Sequence, residues 1–286
     1  MDQKVIDLYD EYTHKPLSRS DFLKRLALLA GGAAAASALL PLIEVNYAIA
    51  AAVAPDDPAI VTERVVYPGK TGEVKAYLAR PKGVQKAPAV IVIHENRGLN
   101  PHIEDVARRA AVAGFLAIAP DGLSPAGGTP EDLDKARELI QTLNREDTVA
   151  NFVAAVAFAT KHPHSTGKVG CVGFCWGGAM ANQLAVHAPD LKAAVPFYGR
   201  QPAMADVPKI KAALLLHYAA TDQGINAGIA EYEAALKAAN VDYTLHMYEN
   251  TQHAFHNDTA AGRYDEAAAK LAWQRTIAFF KEKLKA

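Results

Sequence analysis

The sequence predicts an α/β fold, a mostly parallel sheet with helices on both faces, and three observations carry that prediction. From residue 89 onward, short apolar runs alternate with helical patterns, the order that parallel strands need for their crossovers. Ala89-Val90-Ile91-Val92-Ile93 is apolar at every position, as a strand covered on both faces must be. Gly173-Phe174-Cys175-Trp176-Gly177-Gly178 stands between an apolar run, residues 168–172, and a helix-forming stretch, residues 179–185. A glycine-flanked turn therefore joins strand to helix there.

In chain order, residues 60–67 and 73–79 alternate apolar and polar side chains around a turn at Gly69 and Gly72, an antiparallel pair at a sheet edge. Residues 89–94, 115–119, 169–174, 193–198, 212–218 and 243–248 read as the remaining strands. Residues 101–113, 131–143, 148–161, 226–239 and 263–284 read as helices. With 286 residues, 50% of them hydrophobic, residues 59–286 suffice for one large core. Residues 1–58 form an extension that ends in the linker Pro55-Asp56-Asp57-Pro58.

Within that extension, Ser18-Arg19-Ser20-Asp21-Phe22-Leu23-Lys24-Arg25 precedes an alanine- and leucine-rich run over residues 26–43. The order resembles a twin-arginine export signal, with Ser20 in place of the second arginine and Ala48-Ile49-Ala50 as a cleavage point. Gly31, Gly32 and Pro41 interrupt the run and Glu44 bounds it, so no stable membrane span is expected. The alternative is an uncleaved pair of helices packed on the body or across a homodimer. Cytoplasmic and periplasmic locations both stay open.

Net charge is -1 and no lysine–arginine cluster is interleaved with aromatics, which argues against a nucleic-acid surface and for a small-molecule substrate. The two cysteines, Cys171 and Cys175, lie on one extended run. Four residues at about 3.3 Å each separate them by about 13 Å, well past the roughly 7 Å that a disulfide spans between Cα atoms.

Ligands of such sheets bind outside the carboxyl ends of the strands. That rule selects Glu95, Asp121, Cys175, Tyr198, Asp222 and His253, each of which follows an expected strand. Cys175 sits at the centre of the glycine-flanked turn, where outward-pointing N–H groups of a starting helix favour a thiolate. Its bland reading is a small buried hydrophobe. Asp222 and His253 follow in the order nucleophile, acid, histidine that this type of turn accompanies. Asp222 could equally cap the helix near Asn226, and His253 competes with His246 and His256. His94-Glu95-Asn96-Arg97-Gly98 begins like a zinc motif, but Gly98 stands where the second ligand belongs. Neither a metal nor another cofactor is expected.

The turn Gly-Phe-Cys-Trp-Gly-Gly, His94-Glu95, Ala119-Pro120-Asp121 and His253-Ala254-Phe255 together resemble the dienelactone hydrolase family of α/β hydrolases, from Val61 to the C-terminus. The resemblance implies the α/β-hydrolase fold and cofactor-free hydrolysis of carboxylic esters or lactones. It implies a Cys175–Asp222–His253 triad with a thioacyl intermediate, and an oxyanion hole of Trp176 and Asn96 backbone N–H groups. It also implies that Glu95 holds the resting thiol. Read from the residues, Glu95 could instead face substrate or pair with Arg97. The family's arginine four residues past the histidine is Asn257 here, and no arginine follows Asp121. Arg97, Tyr198 and Arg200 are the remaining substrate-binding candidates. Two rival functions keep the same thiol: attack on another activated ester such as a phosphate triester, and a non-catalytic binding scaffold.

Overall fold

The computed structural model describes residues 2–44, 46 and 51–285. Eight strands form one sheet: β1 (Ile60–Gly69), β2 (Gly72–Pro81), β3 (Ala87–Ile93), β4 (Leu116–Pro120), β5 (Ser165–Phe174), β6 (Ala193–Phe197), β7 (Ala213–Ala219) and β8 (Tyr243–Tyr248), in the spatial order β1-β2-β4-β3-β5-β6-β7-β8. The pairs β1–β2 and β2–β4 are antiparallel, and every pair from β4 through β8 is parallel. The helices are α1 (Gln3–His14), α2 (Arg19–Ala30), α3 (Ala33–Ile43), α4 (Pro101–Val112), α5 (Leu133–Thr142), α6 (Arg145–Lys161), α7 (Trp176–His187), α8 (Gln223–Asn226), α9 (Ile229–Ala238) and α10 (Glu266–Lys283).

The twofold alternation of strand side chains explains why the β3 run is apolar throughout. Val90 and Val92, with Ala117, Val172 and Val195, pack against α4 and α10. Ile91 and Ile93, with Ile118, Cys171 and Leu214, pack against α6, α7 and α9. Truncating a leucine or isoleucine in either layer to alanine costs about 2–5 kcal/mol.

β3 has β4 on one side and β5 on the other, so the chain reverses its direction of travel across the sheet at β3. The loops leaving β3 and β5 diverge, which opens a crevice between residues 94–99 and the turn at Cys175.

Four helix boundaries differ from the sequence expectation. Asp132 and Asn144 cap α5 and α6 with their side chains, so both helices start at those caps. The helix expected over 226–239 starts at Ile229 as α9, after Gly228, where a Cβ would lie 2.5 Å from Gln201 Oε1, and the short α8 precedes it. α10 begins after its cap Asp265, which leaves Arg263 on the preceding loop.

The extension contains three helices rather than a pair. α1 was not foreseen in a stretch of mixed charge, yet Val5, Leu8, Tyr9 and Tyr12 recur at helical spacing and Asp2 caps its start. Those four side chains, with Phe22, Leu26, Ala36 and Ile43, form a small core separate from the two layers of the body. α2 ends at Gly31, whose φ of 81° suits glycine, and α3 leaves at 110° to it. Among the described residues no single helix is long and apolar enough to cross a membrane. Ala48-Ile49-Ala50, the expected cleavage point, lies outside the described residues. Beyond it, the Ala52 and Val53 N–H groups donate to Asp105, which fastens the linker to α4.

Candidate active site

The turn between β5 and α7 holds Cys175 at φ 57° and ψ -113°, a conformation that non-glycine residues rarely adopt. Its neighbours must be glycines for steric reasons. A Cβ on Gly173 would lie 1.9 Å from the Gly177 carbonyl oxygen, and one on Gly177 would lie 2.4 Å from that of His94. The Cys175 N–H donates to Phe197 O at 3.0 Å, which ties the turn to β6. Trp176 is the first residue of α7, so its N–H has no acceptor inside the helix and is available to a ligand.

Asp222 and His253 come from the loops after β7 and β8. The Thr221 hydroxyl donates to Thr251 O at 2.7 Å, so one loop is held on the other. His253 Nδ1 then lies 2.5 Å from Asp222 Oδ2. Asp222 Oδ1 also accepts from Ile225 N at 3.4 Å at the start of α8, so the capping and histidine-holding readings both hold. Burial alone would lower the basicity of His253; the charges of Cys175 and Asp222 and hydrogen bonds to both outweigh it and raise the imidazole well above its ordinary value.

The competing histidines lie elsewhere. Burial, with His102 and Arg109 nearby, pushes His256 down to about 3, and its ring stacks on Phe174 with centroids 4.9 Å apart. His246 is on the edge strand β8.

Cys175 and His253 border one pocket with Thr13, Glu95, Asn96, Arg97, Ala254 and Arg263. Glu95 Oε2 accepts from the Asn257 amide at 2.7 Å, and Asn257 Oδ1 in turn accepts from Thr259. Asn257, four residues past His253, therefore positions the pocket carboxylate. Arg97 donates to the Tyr9 hydroxyl at 2.9 Å and Arg263 to Asp10 at 3.1 Å, both on α1.

Two substrate-binding candidates lie outside this pocket. Tyr198 is fully buried, with φ 37°, and its ring packs 5.0 Å from that of His253, backing the imidazole. Burial, then the Glu95 and Cys175 charges, raise its phenol well above the usual range. Arg200 is exposed, and its contact with the body runs through its backbone carbonyl, which accepts from Asn182 at 3.0 Å. Asp121 accepts from Leu123 N and from both donors of Thr129, so it fixes its own loop.

His94 has a larger part than its motif position indicated. Its Nε2 accepts from Gly122 N at 3.0 Å, so Nδ1 carries the proton and donates to Glu95 O at 2.6 Å. Burial lowers its pKa and favours this neutral ring. The ring stacks on Trp176 with centroids 5.0 Å apart and planes within 6°. Because Glu95 C=O and Asn96 N–H belong to one planar peptide, the bond from His94 also fixes the direction of the Asn96 N–H.

Comparison with known proteins follows the same outline. The sequence profile of the dienelactone hydrolase family matches residues 74–284, from β2 to α10, which leaves α1–α3 outside it. A "Putative carboxymethylenebutenolidase" of Salmonella typhi is 33% identical over 240 residues, covering 78% of this chain and 88% of its own. The solved structure titled "Putative Dienelactone Hydrolase" from Klebsiella pneumoniae superposes with a TM-score of 0.71 at 32% identity, over 78% of this chain and 99% of that one. A dienelactone hydrolase-like promiscuous phosphotriesterase from metagenomic libraries superposes at 0.72 with 26% identity, over 79% and 100%. A hydrolase by these relatives and an α/β-hydrolase fold by its sheet, the chain belongs to the dienelactone hydrolase family.

Proposed function

We propose that the protein hydrolyses carboxylic esters or lactones through Cys175, His253 and Asp222. The observation that carries this reading is the 2.5 Å contact of His253 Nδ1 with Asp222, made by an imidazole that borders the same pocket as the Cys175 thiol. The thiolate attacks the carbonyl carbon, and the displaced electron pair becomes an oxyanion beside the Trp176 and Asn96 N–H groups. Collapse expels the alcohol, which takes a proton from His253 Nε2 and leaves a thioacyl-enzyme. Water, deprotonated by the now neutral His253, attacks the thioester and releases the acid. The thiolate–imidazolium pair is thereby restored. Glu95, held by Asn257, lies in the same pocket, and its negative charge opposes the thiolate and weakens that pair until substrate arrives.

A panel of aryl esters and lactones, run with and without iodoacetamide, tests the proposal. Turnover should disappear in step with alkylation of Cys175, and saturating substrate should slow the alkylation. Turnover that survives complete alkylation would refute it. Phosphate triesters belong on the same panel, because a structural neighbour is described as a promiscuous phosphotriesterase. An attack at phosphorus uses the same thiol and the same donors.

His94 serves here as a positioning residue. His94→Leu should lower kcat about 10²-fold, the cost of misplacing a donor by around an ångström, with KM little changed. His94→Gln can both donate to Glu95 O and accept from Gly122 N, and should restore much of the rate. Equal losses in both variants, or a loss confined to KM, would remove His94 from the oxyanion site.

A further inference from the structure

The pocket beside Cys175 is narrow while α1 is in place. Its cavity measures about 20 Å³, room for about one water, and Thr13 of α1 forms part of its wall. A wall that withdrew would admit larger esters. The loop of residues 94–99 is pinned through His94, Glu95 is held by Asn257, and the turn at Cys175 is tied to β6. The wall contributed by α1 is held differently. Thr13 borders the cavity, and its carbonyl accepts from Asn96 Nδ2 at 2.7 Å. Tyr9 accepts from Arg97, and Asp10 pairs with Arg263. Tyr12 donates to Asp134 at 2.5 Å. These are polar contacts to loops and to α5, where Arg137 also donates to Tyr12 O at 2.9 Å, while the apolar face of α1 packs inside the extension's own core with α2 and α3. The helix can leave the pocket without opening either layer of the body.

We propose that α1 is a cap over the thiol that selects substrates by size, with Thr13 closing the pocket and Tyr9 and Asp10 latching it to Arg97 and Arg263. The proposal names which esters the Cys175 site admits and so rests on that site for its role in hydrolysis. The closure itself is independent of whether esters are turned over. The cap also sets the pocket's charge. Closed, Asp10 compensates Arg263; open, Arg97 and Arg263 stand beside Glu95 with an excess positive charge that an anionic ester can meet.

The test uses the full-length chain, wild type and Tyr9→Ala/Asp10→Ala. Cys175 is alkylated with iodoacetamide and, separately, with the bulkier N-phenylmaleimide; Cys171 is fully buried and does not compete. kcat/KM is measured for 4-nitrophenyl acetate and 4-nitrophenyl benzoate. Losing two charge-assisted hydrogen bonds shifts the balance toward the open state, so the bulky reagent and the bulky ester should gain about tenfold or more relative to the small ones. Asp10→Asn, which preserves the shape of the helix, should move the same ratios in the same direction by less, and it serves if the double variant fails to fold. Bulky-to-small ratios equal in wild type and variants would overturn the cap, as would a wild-type thiol that admits both reagents alike. Size-dependent alkylation without turnover of any ester would leave the cap standing and remove the hydrolytic reading. Ester turnover with unchanged size ratios would do the reverse.

Discussion

Cys175→Ala should lose about 10⁴- to 10⁶-fold in kcat on any ester that the wild type turns over, the scale seen when a nucleophile that acts as part of a unit is removed. The protein should remain folded. The side chain loses one sulfur at the edge of the core, and the backbone conformation at φ 57° is set by the glycines and by the bond to Phe197 O rather than by the thiol. A destabilisation of about 1 kcal/mol, or a few degrees in Tm for a domain of this size, is the expected scale. Circular dichroism and a thermal scan separate this outcome from unfolding. Cys175→Ser makes the comparison sharper. Serine fits the same strained turn, but its hydroxyl does not ionise against an imidazolium, so it needs His253 as a base at the moment of attack. That variant should fold like the wild type, resist iodoacetamide, and retain a small fraction of the activity. A fully active Cys175→Ala would mean that the chemistry runs through some other group.

Much of this site was legible in the sequence because its parts are enforced locally. Gly173 and Gly177 cannot carry side chains in the turn, so the motif reports its own geometry. The apolar run of β3 reports burial on both faces, and the order of strand ends places Asp222 and His253 on adjacent loops. What escaped was made by contacts distant in the chain. Arg263 was assigned to the start of a helix, yet the Asp265 cap starts that helix later and leaves the arginine on a loop that reaches the pocket. Asn257 looked like a lost arginine until its amide was found on Glu95, across 162 positions of sequence. Tyr198 and Arg200 follow a strand end as ligand-binding residues do; the Tyr198 ring packs beside His253 with its phenol near Glu95 and Cys175, while the Arg200 side chain is exposed. α1 was hidden because its charges mask a helical stripe of four apolar residues, and because a leader-like segment follows it.

Asp222→Asn is the second large effect, and its sign can be worked out from the imidazole. In the folded protein His253 is raised well above its ordinary value of 6.5, in part by the Asp222 charge and hydrogen bond. The imidazolium therefore adds stability that is fully present below about pH 6.5 and is lost as the pH rises through the higher folded value. Replacing the carboxylate by an amide removes one of the two negative charges that sustain the imidazolium, and the amide can present an N–H to Nδ1 in place of an acceptor. The neutral ring then carries its proton on the nitrogen facing the thiol, the wrong one for a base. A loss of about 10⁴-fold in kcat is the expected scale for such a tautomer error. The alkaline limb of the pH–rate profile should move to lower pH, because the imidazolium that protonates the leaving alcohol now deprotonates earlier. Iodoacetamide should also react more slowly at neutral pH, since less of the thiol is held as thiolate by a charged neighbour. Asp222→Asn keeps an amide oxygen to accept from Ile225 N, whereas Asp222→Ala also loses that cap, at a cost of about 1–2 kcal/mol of stability. A cap defect alone changes Tm without touching the pH profile. An alkaline limb that stays in place in Asp222→Asn would therefore show that the carboxylate does no more than start α8.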